Sequence, residues 1–99
     1  MSMYQTLTET GLPVAYGFFK EPQKLPYICY TGAGQENFSA DDTYIYSEDS
    51  WQIEYYFKHK DTTLEAAIEQ ALLTDGYHYE KSEDNYIEDD RVFVIYYNI

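Results

Sequence analysis

The sequence predicts an α+β fold: a mostly antiparallel sheet of about five to six strands, with a short N-terminal helix and one amphipathic helix, about Thr62 to Asp75, packed on one face. Three observations predict it. Residues Trp51 to Lys58 alternate, with Trp51, Ile53, Tyr55 and Phe57 on one side and Gln52, Glu54, Tyr56 and Lys58 on the other, which is the period of a half-buried strand. Leu64, Ala67, Ile68, Ala71 and Leu72 recur at helical spacing and form one apolar stripe, leaving Glu65, Glu69 and Gln70 outward. The third is composition: 13 tyrosines, five phenylalanines and one tryptophan in 99 residues suit pleated surfaces better than a leucine-rich helical core. A chain of this length supports one core, so residues 1–99 are read as a single domain.

The elements follow in order. Met3, Tyr4 and Leu7 fall at helical spacing, and Gly11 with Leu12-Pro13 stops that first helix. Val14, Tyr16 and Phe18 alternate with Ala15, Gly17 and Phe19, a strand with glycine at a close approach. Lys20 to Pro26 is a proline-containing loop. Tyr27 to Thr31 is a short strand closed by Gly32-Ala33-Gly34, which predicts a flexible turn, and Gln35 to Asp42 is polar except for Phe38. Thr43 to Tyr46 is a further strand, and Ser47-Glu48-Asp49-Ser50 marks a turn before Trp51. Asp61-Thr62-Thr63 offers capping side chains at the start of the amphipathic helix, Thr62 and Glu65 have capping-box spacing, and Gly76 supplies its stop. Tyr77 to Lys81 and Arg91 to Asn98 form a hairpin candidate around an acidic, exposed connection from Glu83 to Asp90.

Charge narrows the partners. Eighteen acids against six bases give a formal net charge of −12, which opposes sequence-independent binding to a phosphate backbone. The same charge repels copies of the chain, so self-association must be driven by apolar and aromatic contact and is weakest at low salt. Tyrosine supplies that contact, with large area, few rotatable bonds and a polar tip. Cys29 is the only cysteine, which excludes an intrachain disulfide and fits a reducing compartment. Residues Met1 to Thr10 have no basic or apolar leader character, and no stretch approaches the roughly 18 apolar residues of a membrane span, so neither secretion by the usual route nor membrane insertion is expected.

Catalytic and metal-binding readings are thin. His59, in Lys58-His59-Lys60, reads as a solvated loop residue, and His78 as a surface position between Tyr77 and Tyr79. Cys29 lies in an apolar β-type run and reads as a buried structural cysteine rather than a nucleophile. The acidic groups Asp41-Asp42, Glu48-Asp49 and Glu88-Asp89-Asp90 lack calcium-loop spacing, and Gly32-Ala33-Gly34 lacks the Lys-Ser/Thr of a phosphate loop. No catalytic, cofactor or metal residue is assigned.

At Thr10-Gly11-Leu12-Pro13-Val14-Ala15-Tyr16-Gly17, at Phe38 with Ala40-Asp41, at Trp51-Gln52-Ile53-Glu54-Tyr55-Tyr56, and at Glu65 to Leu72 leading into a terminal hairpin, the chain resembles small tail-completion proteins. These are the tail terminators and head–tail joining proteins of long-tailed phages and Gram-positive prophages, and the order of elements is similar over nearly the whole length. The resemblance implies a structural, non-enzymatic virion protein that closes as a ring, typically a hexamer, on the tail tube and lets DNA pass. Its partners would be copies of itself and other tail or connector proteins. It would reside in the virion tail, and in the bacterial host cytoplasm during assembly. Within that reading, an exposed loop from Gly32 to Asp42 carrying Phe38 is expected at the subunit interface, with Tyr44, Tyr46 and Tyr56 as second candidates; the alternative for Phe38 is to fold back on its own core. Tyr16, Tyr27, Tyr55 and Tyr97 are expected in sheet packing. A rival reading is an acidic DNA mimic that presents carboxylates to a DNA-binding protein or nuclease; a small enzyme is a third.

Overall fold

A computed structural model describes residues 2–40 and 43–99, and side chains outside 36–48. The α+β expectation holds. In chain order the elements are α1 (Met3–Thr8), β1 (Val14–Tyr16), β2 (Tyr27–Ala40), β3 (Thr43–Phe57), α2 (Thr62–Thr74), β4 (Glu80–Lys81), β5 (Asn85–Ile87) and β6 (Val92–Asn98). Among the described residues the six strands make one sheet in the order β1-β2-β3-β6-β4, with β5 also on β6. Only β1 and β2 run parallel; the other pairs are antiparallel.

The register explains the core. Ile28 faces Tyr55, Tyr30 faces Ile53, and across the next ladder Ile53 meets Tyr97 and Tyr55 meets Ile95. These side chains share one face because strand residues alternate. They pack with Met3 and Leu7 of α1 and with Ile68 and Leu72 of α2 in one buried cluster, each fully buried side chain contributing roughly 1.5–3 kcal/mol. The alternation read in Trp51 to Lys58 and the stripe on the second helix are both seen: Ile53, Tyr55, Phe57, Ile68, Ala71 and Leu72 are buried.

The helix ends show where local signals competed. The capping box sits on α1, where Ser2 Oγ accepts from Gln5 N and Gln5 Oε1 accepts from Ser2 N. On α2 the cap is Asp61, the first of the three capping candidates, whose carboxylate accepts from the Thr63 and Leu64 amides, so Thr62 is the first helical residue and the Thr62/Glu65 box does not form. At the other end Gly76 adopts φ +86°, and bonds from Tyr77 N to Leu72 O and from Gly76 N to Leu73 O close a Schellman turn.

The largest departure from expectation lies between Gly32 and Ser50. The loop anticipated from Gly32 to Asp42 is strand as far as Ala40, and the anticipated turn at Ser47 to Ser50 is strand as well: β2 runs 14 residues and β3 runs 15. Cross-strand pairing overrides the weak local propensity of polar and glycine residues. Gly32 and Gly34 mark a register shift between Gly32 and Gln35, with Gly34 at φ +100°, so the glycines form a bulge inside the strand and not its tip. Asp41 and Asp42 lie outside the described residues. At the C-terminal end the hairpin pairs only Glu80 and Lys81 with β6, and the acidic connection contains β5, because Tyr86 and Ile87 find Phe93 and Val92 across the ladder.

Candidate interaction surface

The pairing ranges create a two-part molecule. The β1 ladder on β2 ends at Tyr30, and the β6 ladder on β3 ends at Gln52, so residues 33–40 and 43–50 pair only with each other. This two-stranded arm leaves the body as an extension of roughly 26 Å at strand rise, and the long axis of the chain is 50 Å against 27 and 26 Å across. The radius of gyration is 15.0 Å, above the ~13 Å of a compact domain of this length. A two-stranded ribbon is marginal alone in water, and both of its outer edges carry unpaired backbone donors and acceptors.

The four expected interface residues divide between arm and body. The ladder sets Phe38 opposite Tyr46 and Ser39 opposite Tyr44, which places all three aromatics on the arm, Tyr44 and Tyr46 in a strand as expected and Phe38 in a strand rather than in a loop; their side chains lie outside the described set. Tyr56 is ten residues from Tyr46 on the same strand, roughly 33 Å away. It sits on the helix-free face of the body, half-buried, with its hydroxyl donating to Glu54 Oε1 at 2.7 Å and its ring 5.1 Å from Tyr27. Burial, and then the Glu54 bond, raise the Tyr56 phenol above its ordinary pKa.

Tyr27 and Tyr56 line an open concavity of about 460 Å³ with Phe18, Phe19, Lys20 and Cys29. Phe19 packs edge-on to Tyr27 at 5.2 Å. Cys29 is buried, as expected, and burial followed by the Glu54 charge pushes its thiol up to about 11, the opposite of what a nucleophile requires. His59 and His78 are both exposed. Among the described residues no group of three or more His, Cys, Asp or Glu side chains is placed to hold a metal ion, and no helix is long and apolar enough to cross a membrane.

Three features escaped the sequence reading. Tyr16, expected in packing, is 62% exposed, and Phe18 is 74% exposed, because β1 is the sheet edge and Gly17 at φ +77° turns the chain immediately after it. The signal was present: residues 11–19 carry no charge, an unusual stretch in so acidic a chain. Glu65, expected outward on α2, is instead buried. Lys60 Nζ lies 3.0 Å from its Oε1 and 2.8 Å from its Oε2, and Lys81 Nζ donates to Oε1 at 2.9 Å while also meeting Glu69 at 2.8 Å. Lys60 reaches Asp84 as well, at 3.0 Å, so two of the six basic residues serve the body's interior. The third is the bond made by Tyr97: its burial on β6 was expected, but its hydroxyl also donates to Glu69 Oε2 at 2.7 Å.

No protein-family model matches the chain, and no curated protein matches it significantly.

Proposed function

We propose that this chain is a structural component of a phage or prophage tail, a terminator or head–tail joining protein that closes as a ring on the tail tube and leaves a path for DNA. The observation that carries the reading is the arm. A ribbon that pairs only with itself, on a body with a separate exposed aromatic edge, has two different lateral surfaces, which is what a head-to-tail ring subunit needs. The resemblance of the Thr10 to Gly17 and Trp51 to Tyr56 segments to tail-completion proteins gives the assembly its class. The function needs no chemistry from the chain, and the raised thiol of Cys29 and the exposed histidines are in keeping with that. The acidity also has a physical role here: a negative lumen repels the DNA backbone and lets it slide.

The 50 Å length and net charge of −12 favour a second reading, the acidic DNA mimic, which also places carboxylates on an elongated body. Light scattering across concentration and salt separates the two. A ring subunit gains mass as concentration rises, and more steeply at high salt, where repulsion between copies is screened. A chain that keeps the mass of one copy throughout, and that blocks a DNA-binding protein's access to DNA, is the mimic.

A further inference from the structure

We propose that the arm of one copy docks as an added strand along the free edge of β1 on the next copy, with the Glu36 and Glu48 positions meeting Lys20; this interface rests on the ring reading above.

Two edges in search of strands are on the molecule. On β1, Pro13 O accepts from Ile28 N and Gly17 N donates to Tyr30 O, so the odd-numbered residues bond towards β2. Alternation then turns the backbone groups of Val14 and Tyr16 outward. Tyr16 O is taken by Phe18 N at 2.9 Å, which leaves the Val14 N–H and C=O and the Tyr16 N–H for an incoming strand. Exposed Tyr16 and Phe18 flank that edge. The arm supplies the other edge, and main-chain bonding to an exposed edge is an established mode of strand addition.

Charge selects the pairing. Residues 35–50 contain five acids, Glu36, Asp41, Asp42, Glu48 and Asp49, and no base. Arm against arm would bring two such ribbons together, and the repulsion opposes it. The opposite sheet edge, β4 and β5, carries Glu80, Glu83 and Glu88, while its Lys81 is already engaged by Glu65 and Glu69, so it too repels the arm. The β1 edge is uncharged over residues 11–19, and the chain beyond it carries Lys20 into the helix-free concavity beside the edge, exposed, followed by Glu21, and in no ion pair among the described residues. Within the arm the ladder pairs position 36 with position 48, both glutamates in the sequence, and a cation supplied by a neighbour complements that level of the ribbon. Arm to β1 edge is a heterologous contact, which repeats from copy to copy and closes into a ring when the rotation allows.

The test uses the full chain in light scattering, with circular dichroism melts to confirm that each variant folds. Lys20→Glu alone, and Glu36→Lys with Glu48→Lys in one chain, should each raise the concentration for half-assembly by about tenfold or more. Their equimolar mixture should recover wild-type assembly, because every arm then meets an edge of opposite charge. Val14→Pro deletes an outward N–H without removing a β2 ladder bond; because Val14 also packs partly against the core, the melt should show a folded chain with a modestly lower melting temperature, and assembly should be lost. Rings that persist in Lys20→Glu and Val14→Pro, or a mixture that stays dissociated, overturn this interface while leaving the ring reading intact. A wild-type chain that never self-associates overturns both.

Discussion

Glu65 and the two tyrosines beside it on the sheet, Tyr55 and Tyr97, set the internal electrostatics of the body. Burial alone raises the Glu65 pKa, but hydrogen bonds from Lys60 and Lys81, and their charges, outweigh it and hold the carboxyl below its ordinary value. A depressed folded-state pKa means that Glu65 contributes stability above its unfolded value near ~4.3, and that this is lost as pH falls through the folded value. Glu65→Gln should therefore cost roughly 1–3 kcal/mol at neutral pH, and the gap to wild type should narrow in acid melts below about pH 4. A gap that is independent of pH would place the effect in packing instead. Tyr97→Phe removes the 2.7 Å bond to Glu69 and should cost about 1–2 kcal/mol in denaturant titration. The Tyr55 hydroxyl is buried without a hydrogen-bond partner among the described residues, so Tyr55→Phe should lie within about 0.5 kcal/mol of wild type or be stabilising. The role of Glu65 was not legible in the sequence: the helical wheel puts it outward, and only the chain's return as β4 brings Lys81 beneath it.

At the scale of elements, periodicity served wherever both neighbours of a strand were already implied. Trp51 to Phe57 lies between β2 and β6, and its alternation survives intact in the buried Ile53, Tyr55 and Phe57. The α2 stripe is equally direct, since Ile68 and Leu72 need only the sheet beneath them. The arm was not legible, because Gln35 to Ala40 has no apolar period and its strand state comes from the partner ladder alone. Phe38, expected in a loop, lies in β2, whereas Tyr44 and Tyr46, expected in a strand, lie in β3. The arm's dependence on its own ladder makes a prediction about dynamics. Amides of residues 35–40 and 43–50 should exchange with solvent much faster than those of 53–57 in dilute protein, and should slow at concentrations where copies associate. Equal protection of arm and body in dilute protein would contradict the account of a marginal ribbon.

At the scale of the molecule, the fold separates two jobs. The body buries its aromatics between one sheet face and two helices and takes Lys60 and Lys81 for its own ion pairs. In the proposed ring, the arm and the β1 edge are the surfaces that meet other copies. The tyrosine count that stood out in the sequence divides along the same line: Tyr55 and Tyr97 are core, Tyr27 and Tyr56 line the helix-free face, and Tyr16 is exposed at the edge. The central claim is that this chain closes into rings, and electron-microscope images of the purified protein at high concentration and moderate salt test it most directly. The account predicts closed rings of uniform size with a central channel, absent when Val14 is replaced by proline. Separate, uniform single copies at every concentration and salt would contradict it.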